Sequence, residues 1–312
     1  MLLPSFIQIQ KINHYTGHAA GIFSLAQGFA QHEILSGGGD GVIAAWQVGK
    51  QENAKGLASI AGNVFALKLV PEMQLLVAGD LNGVLHIINL ESKLEVARFA
   101  YEGGAIFSIV LIDNNNILVG AGNGNAYIID LTQLKQIAVI EVSDKSIRAV
   151  CYIVNRREFL FACSDFNIYV YDADNFQLKN VLHGHDNSVF SIALNPSGTR
   201  LVSGSRDAQL KVWDVQNNYT CLMTIPAHMF TINDIVFSPD GKLMATAGRD
   251  KHIKIWDAEA FNLLKVIDRE KFGGHINSVN KLFWSNWNNY LISCGDDKAV
   301  MVWEIVISEK GM

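Results

Sequence analysis

The sequence has few cysteines and lacks any long hydrophobic run. It contains four cysteines in 312 residues, and none of them forms a Cys-x-x-Cys pair. We expect them to be reduced core thiols in a cytoplasmic protein rather than a disulfide framework. No segment approaches the roughly 18 consecutive apolar residues that favour a membrane-spanning helix. The N-terminus also lacks a basic segment followed by an apolar one, so we expect neither a secretory signal nor contact with a membrane.

An excess of basic charge is missing as well. The formal net charge is -5 and the isoelectric point is about 6.0, whereas proteins that bind nucleic acid through general electrostatics need a basic surface. The composition therefore disfavours direct nucleic-acid binding. Hydrophobic residues make up 49% and charged residues 18% of the chain, which provides for a large core and excludes a mainly disordered protein.

The chain does contain a repeat of about 42 residues. Its clearest copies include Leu210-Lys-Val-Trp213 and Ile253-Lys-Ile-Trp256. When the chain is aligned on this tryptophan, seven units follow one another at intervals of 41 to 47 residues. The aligned positions are Trp46, Ile88, Ile129, Tyr171, Trp213, Trp256 and Trp303. Self-similarity at this period indicates a repeat architecture that covers almost the whole chain.

Each unit has the pattern of several short strands. The segments that end at Trp213 and Trp256 alternate polar and apolar residues, as half-buried strands do. Asn195-Pro-Ser-Gly198 and Ser238-Pro-Asp-Gly241 place proline and glycine where tight turns need them. No stretch has a convincing helical period. Four short strands per unit, repeated seven times, predict an all-β fold, namely a seven-bladed β-propeller of four-stranded antiparallel blades.

Four of the units carry the same set of four side chains. A histidine, a hydroxyl residue, an aspartate and a tryptophan follow one another at intervals of 18, 4 and 6 residues. The sets are His18, Ser36, Asp40 and Trp46; His185, Ser203, Asp207 and Trp213; His228, Thr246, Asp250 and Trp256; and His275, Ser293, Asp297 and Trp303. With Gly-His near the start of a unit and Trp-Asp near its end, the chain resembles the WD-repeat (WD40-repeat) family.

The resemblance implies that each set forms a hydrogen-bonded chain inside its blade. The chemistry agrees, because a buried indole N–H needs an acceptor, and a hydroxyl, an imidazole and a carboxylate can continue the chain. Units two to four depart from the pattern. Their equivalent positions hold Ile60, Ala78, Asn82 and Ile88 in the second unit, Asn123 and Ile129 in the third, and Asp165 and Tyr171 in the fourth. We expect apolar packing to replace the polar chain in these three blades.

Closure of the ring follows from counting strands. The last unit ends with Val300-Met-Val-Trp-Glu-Ile-Val-Ile307, its third strand, and lacks a fourth. The N-terminal segment Phe6-Ile-Gln-Ile-Gln-Lys-Ile12 alternates like a strand. We predict that residues 5–13 form the outer strand of the last blade, which removes an open edge, and that residues 1–312 are a single propeller domain.

Three patterns that suggest catalytic or ligand sites have a structural explanation. Serine, histidine and aspartate in one unit suggest a hydrolase triad, but the set occurs in four units, each time with a tryptophan. Gly120-Ala-Gly-Asn-Gly124 resembles a phosphate loop, yet a strand rather than a helix is predicted after it. The nine histidines show no zinc-finger spacing with cysteines. We therefore expect no catalytic residues, no cofactor and no bound metal.

The family resemblance also implies where a partner binds. In that family the residue five positions after the histidine lies at the upper mouth of the central channel and contacts partners. The matching positions here are Phe23, Phe65, Phe107, Arg148, Phe190, Asn233 and Asn280. The residue before the repeat aspartate faces the same surface. In units one to seven this residue is, in order, Gly39, Leu81, Gly122, Ser164, Arg206, Arg249 and Asp296.

Two interpretations of the phenylalanines remain open. They either plug the channel as core or form an exposed aromatic patch that marks an interaction site. In the second case the surface has an aromatic half on units one to three and a cationic half around Arg148, Arg206 and Arg249. A peptide with an apolar anchor followed by acidic residues suits both halves.

The main functional hypothesis is a non-catalytic interaction scaffold that binds a protein or peptide partner at the upper mouth, as a monomeric propeller within a larger complex. One alternative is a lactonase-like, metal-dependent hydrolase, whose inward carboxylates and histidines would converge on a metal in the channel. Another is a subunit of a nucleic-acid-processing complex without direct nucleic-acid contact. The Trp-Asp-x-Arg motif of ubiquitin-ligase adaptors is missing at Trp213, Trp256 and Trp303, which disfavours that role.

Overall fold

The computed structural model describes residues 6–50 and 54–308. These residues form seven antiparallel sheets of four strands each. The innermost strand of each sheet contacts the innermost strand of the next, and the last contacts the first, so the sheets close into a ring. The structure therefore confirms the predicted seven-bladed β-propeller.

The strands follow the chain from the centre of each blade outward. Blade one consists of β2 (Ile22–Gln27), β3 (Glu33–Gly38), β4 (Val42–Gln47) and β5 (Lys55–Ser59). Blade two consists of β6 (Val64–Val70), β7 (Leu75–Asp80), β8 (Val84–Asn89) and β9 (Leu94–Ala100). Blade three consists of β10 (Ile106–Leu111), β11 (Asn116–Ala121), β12 (Asn125–Asp130) and β13 (Lys135–Glu141). Blade four consists of β14 (Ile147–Ile153), β15 (Glu158–Cys163), β16 (Ile168–Asp172) and β17 (Leu178–Leu182).

The remaining blades complete the ring. Blade five consists of β18 (Val189–Leu194), β19 (Arg200–Ser205), β20 (Gln209–Asp214) and β21 (Thr220–Pro226). Blade six consists of β22 (Ile232–Phe237), β23 (Leu243–Gly248), β24 (Ile253–Asp257) and β25 (Leu263–Ile267). Blade seven combines β26 (Val279–Trp284), β27 (Leu291–Gly295) and β28 (Ala299–Ser308) with β1 (Phe6–Thr16).

Helical structure is confined to short connections. The helix α1 (Arg269–Phe272) lies between blades six and seven, where Asp268 caps its first turn by accepting from the Lys271 N–H. This insertion accounts for the longer last interval of the repeat. Two 3-10 turns span Pro71–Met73 and Val154–Arg156. In the part of the chain that the structure describes, no helix is long and apolar enough to cross a membrane.

The core lies between neighbouring blades. Val202 and Val212 of blade five, for example, pack against Ile232, Ile235 and Met244 of blade six. A middle strand is covered by a blade on each side, so its side chains are apolar on both faces, as in other sheets that are buried on both sides. All six residues of β7 are buried, whereas β9 at the rim of the same blade is mostly exposed.

The N-terminal strand closes the ring as predicted. It pairs antiparallel with β28 from Phe6 opposite Ser308 to Thr16 opposite Ala299, with a bulge between Lys11 and Asn13. The observed strand runs three residues further than the predicted 5–13, and Ser5 lies outside the described residues. The assignment of residues 1–312 to one domain stays a prediction.

Candidate functional site

The repeated polar sets anchor the upper face, which carries the loops that enter each blade and the turns between its second and third strands. In blade one the Trp46 indole N–H donates to Ser36 Oγ at 2.7 Å, and Ser36 Oγ lies 2.8 Å from His18 Nε2. His18 Nδ1 lies 3.0 Å from Asp40. A carboxylate only accepts, so Nδ1 carries the proton and the serine hydroxyl donates to Nε2.

The same bonds recur in blades five, six and seven with nearly equal lengths. Each aspartate also accepts the backbone N–H of the residue after the histidine. The donors are Ala19, Asp186, Met229 and Ile276, at 2.7 to 3.1 Å. The carboxylate therefore ties the loop that enters a blade to the turn between the second and third strands, and this holds the upper face in shape.

These bonds change the pKa of the buried carboxyls. At Asp250 burial acts to raise the pKa, but the hydrogen bonds from His228 and the neighbouring backbone N–H groups outweigh it and lower the pKa to about 2. The pKa values of Asp40, Asp207 and Asp297 are lowered for the same reasons. Burial lowers the pKa of His228, against the raising effect of Asp250.

We predict that the stability of the propeller falls in acid. A carboxyl whose pKa is lower in the folded state stabilises the fold above its unfolded pKa, and this contribution is lost as the pH falls through the folded pKa. For Asp250 the window runs from about 4 down to about 2, and the contribution is about 2 kcal/mol. Because His228 resists protonation in the fold, the loss begins below the usual histidine pKa of about 6.5.

Urea unfolding between neutral pH and pH values near the unfolded carboxyl pKa tests this prediction. Asp250→Asn should show a shallower pH dependence than the wild type. Asp186→Asn is the matched control, because the exposed Asp186 carboxylate makes none of these bonds while its backbone N–H does. Equal slopes for the wild type and Asp250→Asn would contradict the assignment.

The structure corrects the expectation that apolar packing replaces the polar chain in blades two to four. Ala78, Ile88 and Ile129 are buried as expected, but a different polar cluster occupies each blade. It is built on the third-strand residue two positions before the tryptophan position. These residues are His86, Tyr127 and Tyr169. A histidine or tyrosine at this position, where the blades with the repeated set have Ala44, Lys211, Lys254 and Met301, is the sequence signal that was missed.

In blade two, Asp80 takes over the role of the repeat aspartate. Its carboxylate accepts from the Asn82 and Val84 N–H groups at 2.9 and 2.7 Å and lies 3.6 Å from His86 Nε2. The other ring nitrogen of His86 lies 2.5 Å from Glu95. Asp80 pairs with Val64 on the first strand, just as Gly38 pairs with Ile22 in blade one. Asp80 therefore occupies the repeat position of Gly38, two residues before the usual aspartate position.

Blades three and four use tyrosines in the same place. Asn123 Nδ2 donates to the Tyr127 hydroxyl at 2.8 Å in blade three. In blade four, Asp165 accepts from Ser143 Oγ at 2.6 Å and from the Tyr169 hydroxyl at 2.7 Å. The upper face is thus held by hydrogen bonds in all seven blades, although only four carry the repeated set.

The seven residues predicted at the channel mouth lie together around one cavity. This upper cavity has a volume of about 230 Å³, and its lining also includes Lys281 and Asp296. The Phe23 and Phe65 rings are stacked with centroids 4.6 Å apart, and Phe107 meets Phe65 edge-on at 5.7 Å. All these rings are half-buried. They pack against one another as a floor and still present part of their surface to the cavity, and their role as an interaction site stays a prediction.

Arg148 completes this floor. Its guanidinium lies between two aromatic rings, 3.8 Å from the centroid of Phe107 and 4.2 Å from that of Phe190. Burial alone lowers the pKa of Arg148 to about 10, and no charged group or hydrogen-bond acceptor among the described residues offsets it. Stacking covers the two faces of the guanidinium and leaves its N–H edge for an acceptor that the described residues do not supply.

Asn233 and Asn280 have a structural role in addition to their place at the cavity. Asn233 Nδ2 donates to Ser278 Oγ and to the Val279 carbonyl of blade seven, at 2.9 and 2.8 Å. Asn280 Nδ2 donates to the Ile22 carbonyl of blade one at 3.0 Å and to Asp296 at 2.7 Å. Their amide nitrogens therefore hold neighbouring blades together.

The outer part of the upper face contains exposed apolar residues that the repeat pattern did not reveal. Met229 and Phe230 are 76% and 57% exposed, and Ile276 is 47% exposed. Met229 and Phe230 follow the repeat histidine of blade six, and Ile276 follows that of blade seven. In blades one and five the repeat histidine is instead followed by a small or an acidic residue. Arg206 and Arg249 are exposed in neighbouring turns of the same face. Large apolar side chains in a short exposed loop are the signal for this surface.

The Ser-His-Asp sets do not form exposed catalytic triads. The hydroxyl of each set accepts the indole N–H and donates to the histidine, and the histidine side chains are 0 to 1% exposed. Within residues 6–50 and 54–308, no three histidine, cysteine, aspartate or glutamate side chains are grouped closely enough to hold a metal ion.

Comparison with known proteins places this arrangement among repeat proteins. The family model described as WD domain, G-beta repeat matches residues 176–214, 219–257 and 268–304. The first two matches each contain the outer strand of one blade and the first three strands of the next blade. The third match begins after β25 and extends into the third strand of blade seven. The matches lie in the half of the chain where the polar sets are continuous from blade to blade.

Several characterised proteins are similar over part of the chain. Nuclear distribution protein PAC1 of Candida tropicalis is 29% identical over 42% of this chain, and U3 small nucleolar RNA-associated protein 21 of Saccharomyces cerevisiae is 28% identical over 44%. Transcription factor unc-37 of Caenorhabditis elegans is 24% identical over 61%. The matched regions make up 28%, 15% and 30% of these relatives, so most of each relative has no counterpart in the match.

Proposed function

The chain is a β-propeller of the WD-repeat family, and on that basis we propose that it is a non-catalytic scaffold that binds a protein or peptide partner at the upper mouth of its channel. The observation that carries the proposal is Arg148. The Arg148 guanidinium is stacked between two rings and has no acceptor among the described residues, so it is preorganised to bind a carboxylate of a partner.

The chemistry of the surrounding surface defines the partner. The upper cavity of about 230 Å³ accommodates one side chain over the phenylalanine floor. Met229 and Phe230 add an exposed apolar contact beside Arg249. We therefore propose a segment with an apolar anchor and acidic residues, one of whose carboxylates binds Arg148 while others face the exposed Arg206 and Arg249.

The cellular setting is part of the same proposal. We propose that the protein acts as one propeller within a larger complex in the cytoplasm, which rests on the acidic composition and the cysteine pattern. The similarity to a yeast protein named for its association with U3 small nucleolar RNA favours a second candidate. In that case the chain is a subunit of an RNA-processing complex that contacts its protein subunits and not the RNA.

Affinity capture from an extract of the source cells tests the binding site. We expect Arg148→Met to reduce recovery of the partner about 30-fold, because truncation of a central interface arginine typically costs about 2 kcal/mol or more. Phe65→Ala combined with Phe107→Ala should act in the same direction. Val154→Ser is the matched control, since Val154 is 65% exposed in the turn after β14, away from the upper face.

The outcomes separate the alternatives. Each variant must first melt near the wild-type temperature, so that lost binding is not lost folding. Equal recovery with the wild type and Arg148→Met would exclude the upper mouth as the binding site. Recovery of RNA-processing proteins by the wild type, with ribonuclease-resistant binding, would favour the second candidate.

A further inference from the structure

A second cavity lies in the channel beneath the aromatic floor. This lower chamber has a volume of about 300 Å³ and shares Phe65, Phe107 and Lys281 with the upper cavity. Its lining continues down the innermost strands to Gln27, where β2 ends. The aromatic floor therefore divides the channel into two compartments, and the proposed partner site uses the upper one.

Lys68 is the unusual residue of the lower chamber. Other blades place apolar or small residues at its repeat position on the innermost strand. These are Ala26, Val110, Cys151, Ala193, Val236 and Phe283. Burial lowers the pKa of Lys68, and no carboxylate among the described residues counters this effect. Lys68 is half-buried in the cavity wall, and an ammonium that is partly withdrawn from water without a partner is stabilised by an anion.

The described residues that line the chamber include no carboxylate, and the Asp234 carboxylate that pairs with the lining residue Lys281 is already engaged. Asp234 is 3% exposed and accepts from Lys281 Nζ at 2.9 Å, from the Leu282 N–H at 2.9 Å and from Ser191 Oγ at 3.2 Å. It balances one ammonium, and Lys68 remains without a counter-charge among the described residues. With Arg148 in the layer above, the channel carries an excess of positive charge.

A hydroxyl adds a neutral donor to this wall. Ser108 lines the chamber, and its oxygen accepts the Val150 N–H at 3.2 Å. No acceptor for the Ser108 hydroxyl proton is found among the described residues, so this proton can be donated into the chamber. Two ammonium groups and one hydroxyl that belong to residues lining one cavity are donors suited to an oxyanion with several acceptor atoms.

We propose that the lower chamber is a binding site for a phosphate-class oxyanion, held by Lys68, Lys281 and Ser108. The site goes beyond the proposed partner site, because it lies on the other side of the aromatic floor and needs no partner protein. The chamber is large enough for a phosphate with its remaining water molecules. Bound anion supplies the counter-charge that Lys68 lacks and links blades two, three and seven across the channel.

Thermal unfolding in inorganic phosphate tests the site on the whole protein. At matched ionic strength and neutral pH, we expect phosphate well above its Kd to raise the wild-type melting temperature by about 2–4 °C over chloride. Lys68→Met should abolish this difference. Lys55→Met is the matched control, because it removes the same charge from an exposed position on β5, and it should keep the full difference.

The comparison of phosphate with chloride stays informative even if a variant changes the baseline stability. A phosphate effect that Lys68→Met retains, or no phosphate effect on the wild type, overturns the proposal. A crystal structure with selenate gives an independent measurement. We expect an anomalous peak within hydrogen-bond distance of Lys68, and peaks confined to other places would exclude the chamber.

Discussion

Removal of residues 1–13 should lower the melting temperature of the propeller by about 10 °C or more. The deletion removes most of β1, which pairs with β28 over almost its whole length. It also removes Ile7 and Asn13 from buried positions; the Asn13 side chain accepts the Gly49 N–H at 2.9 Å and so joins blade seven to blade one. Loss of several buried side chains together with a ladder of backbone hydrogen bonds costs several kcal/mol.

The truncated protein should also associate with itself. Without β1 the outer edge of β28 presents unpaired backbone groups, and an exposed edge of this length is a template for pairing with another chain. Size-exclusion chromatography should therefore show dimers or larger species in addition to the lower melting temperature.

Complementation by a peptide separates ring closure from a general loss of stability. A synthetic peptide of residues 6–13 should restore the melting temperature and the wild-type elution of the truncated protein, whereas a scrambled peptide of the same composition should not. Melting within about 2 °C of the wild type and unchanged elution would show that the ring is held closed without β1.

Asp250→Ala should destabilise the protein by about 3 kcal/mol. Asp250 accepts from His228 Nδ1 at 2.9 Å, from the Met229 N–H at 3.1 Å and from the His252 N–H at 3.2 Å. Its removal leaves the fully buried His228 side chain and two backbone donors without their acceptor. Most of the cost comes from the buried His228 donor, because an unsatisfied buried donor costs more than the net gain of the bond that it made.

Blade two offers a matched control for this substitution. Asn82 occupies the repeat position of Asp250, but its side chain is exposed and the turn is held by Asp80 instead. We expect Asn82→Ala to change the free energy of unfolding by less than about 0.5 kcal/mol, and Asp80→Ala to cost about as much as Asp250→Ala. Urea denaturation measures all three variants. A cost at Asn82 equal to that at Asp250 would show that repeat position, rather than the observed bonds, determines the role.

Parts of the site were predictable because they repeat. The spacing of the tryptophan positions determined the number of blades, and the four polar sets determined their own hydrogen bonds. Phe65, Phe107 and Arg148, which were predicted at the channel mouth from their distance to the apolar residue before them, lie together around the upper cavity. In each case the partners belong to the same unit or occupy the same position in successive units.

Other parts of the site were not predictable, because they depart from the repeat or depend on packing between units. The substitution of Asp80 for the usual aspartate depends on a carboxylate that starts two residues earlier and reaches the same turn, which an alignment by position cannot show. The exposure of Met229 and Phe230 depends on how far their loop stands above its neighbours. Lys68 differs from the residues at the same repeat position in the other blades, but its lack of a partner becomes visible only when the opposite wall of the channel is known.

The sequence by itself determined the fold, the closing strand and the bonds within the four blades that carry the repeated set, because strand periodicity, turn residues and the polar sets act over a few tens of residues. Only the tertiary structure decided how the phenylalanines stack, that Arg148 lies between two of them, and that two cavities lie on either side of this layer. The channel brings together one strand from each of seven blades, so its contacts join residues far apart in the chain. Their packing and charge balance are properties of the closed ring that no single repeat contains.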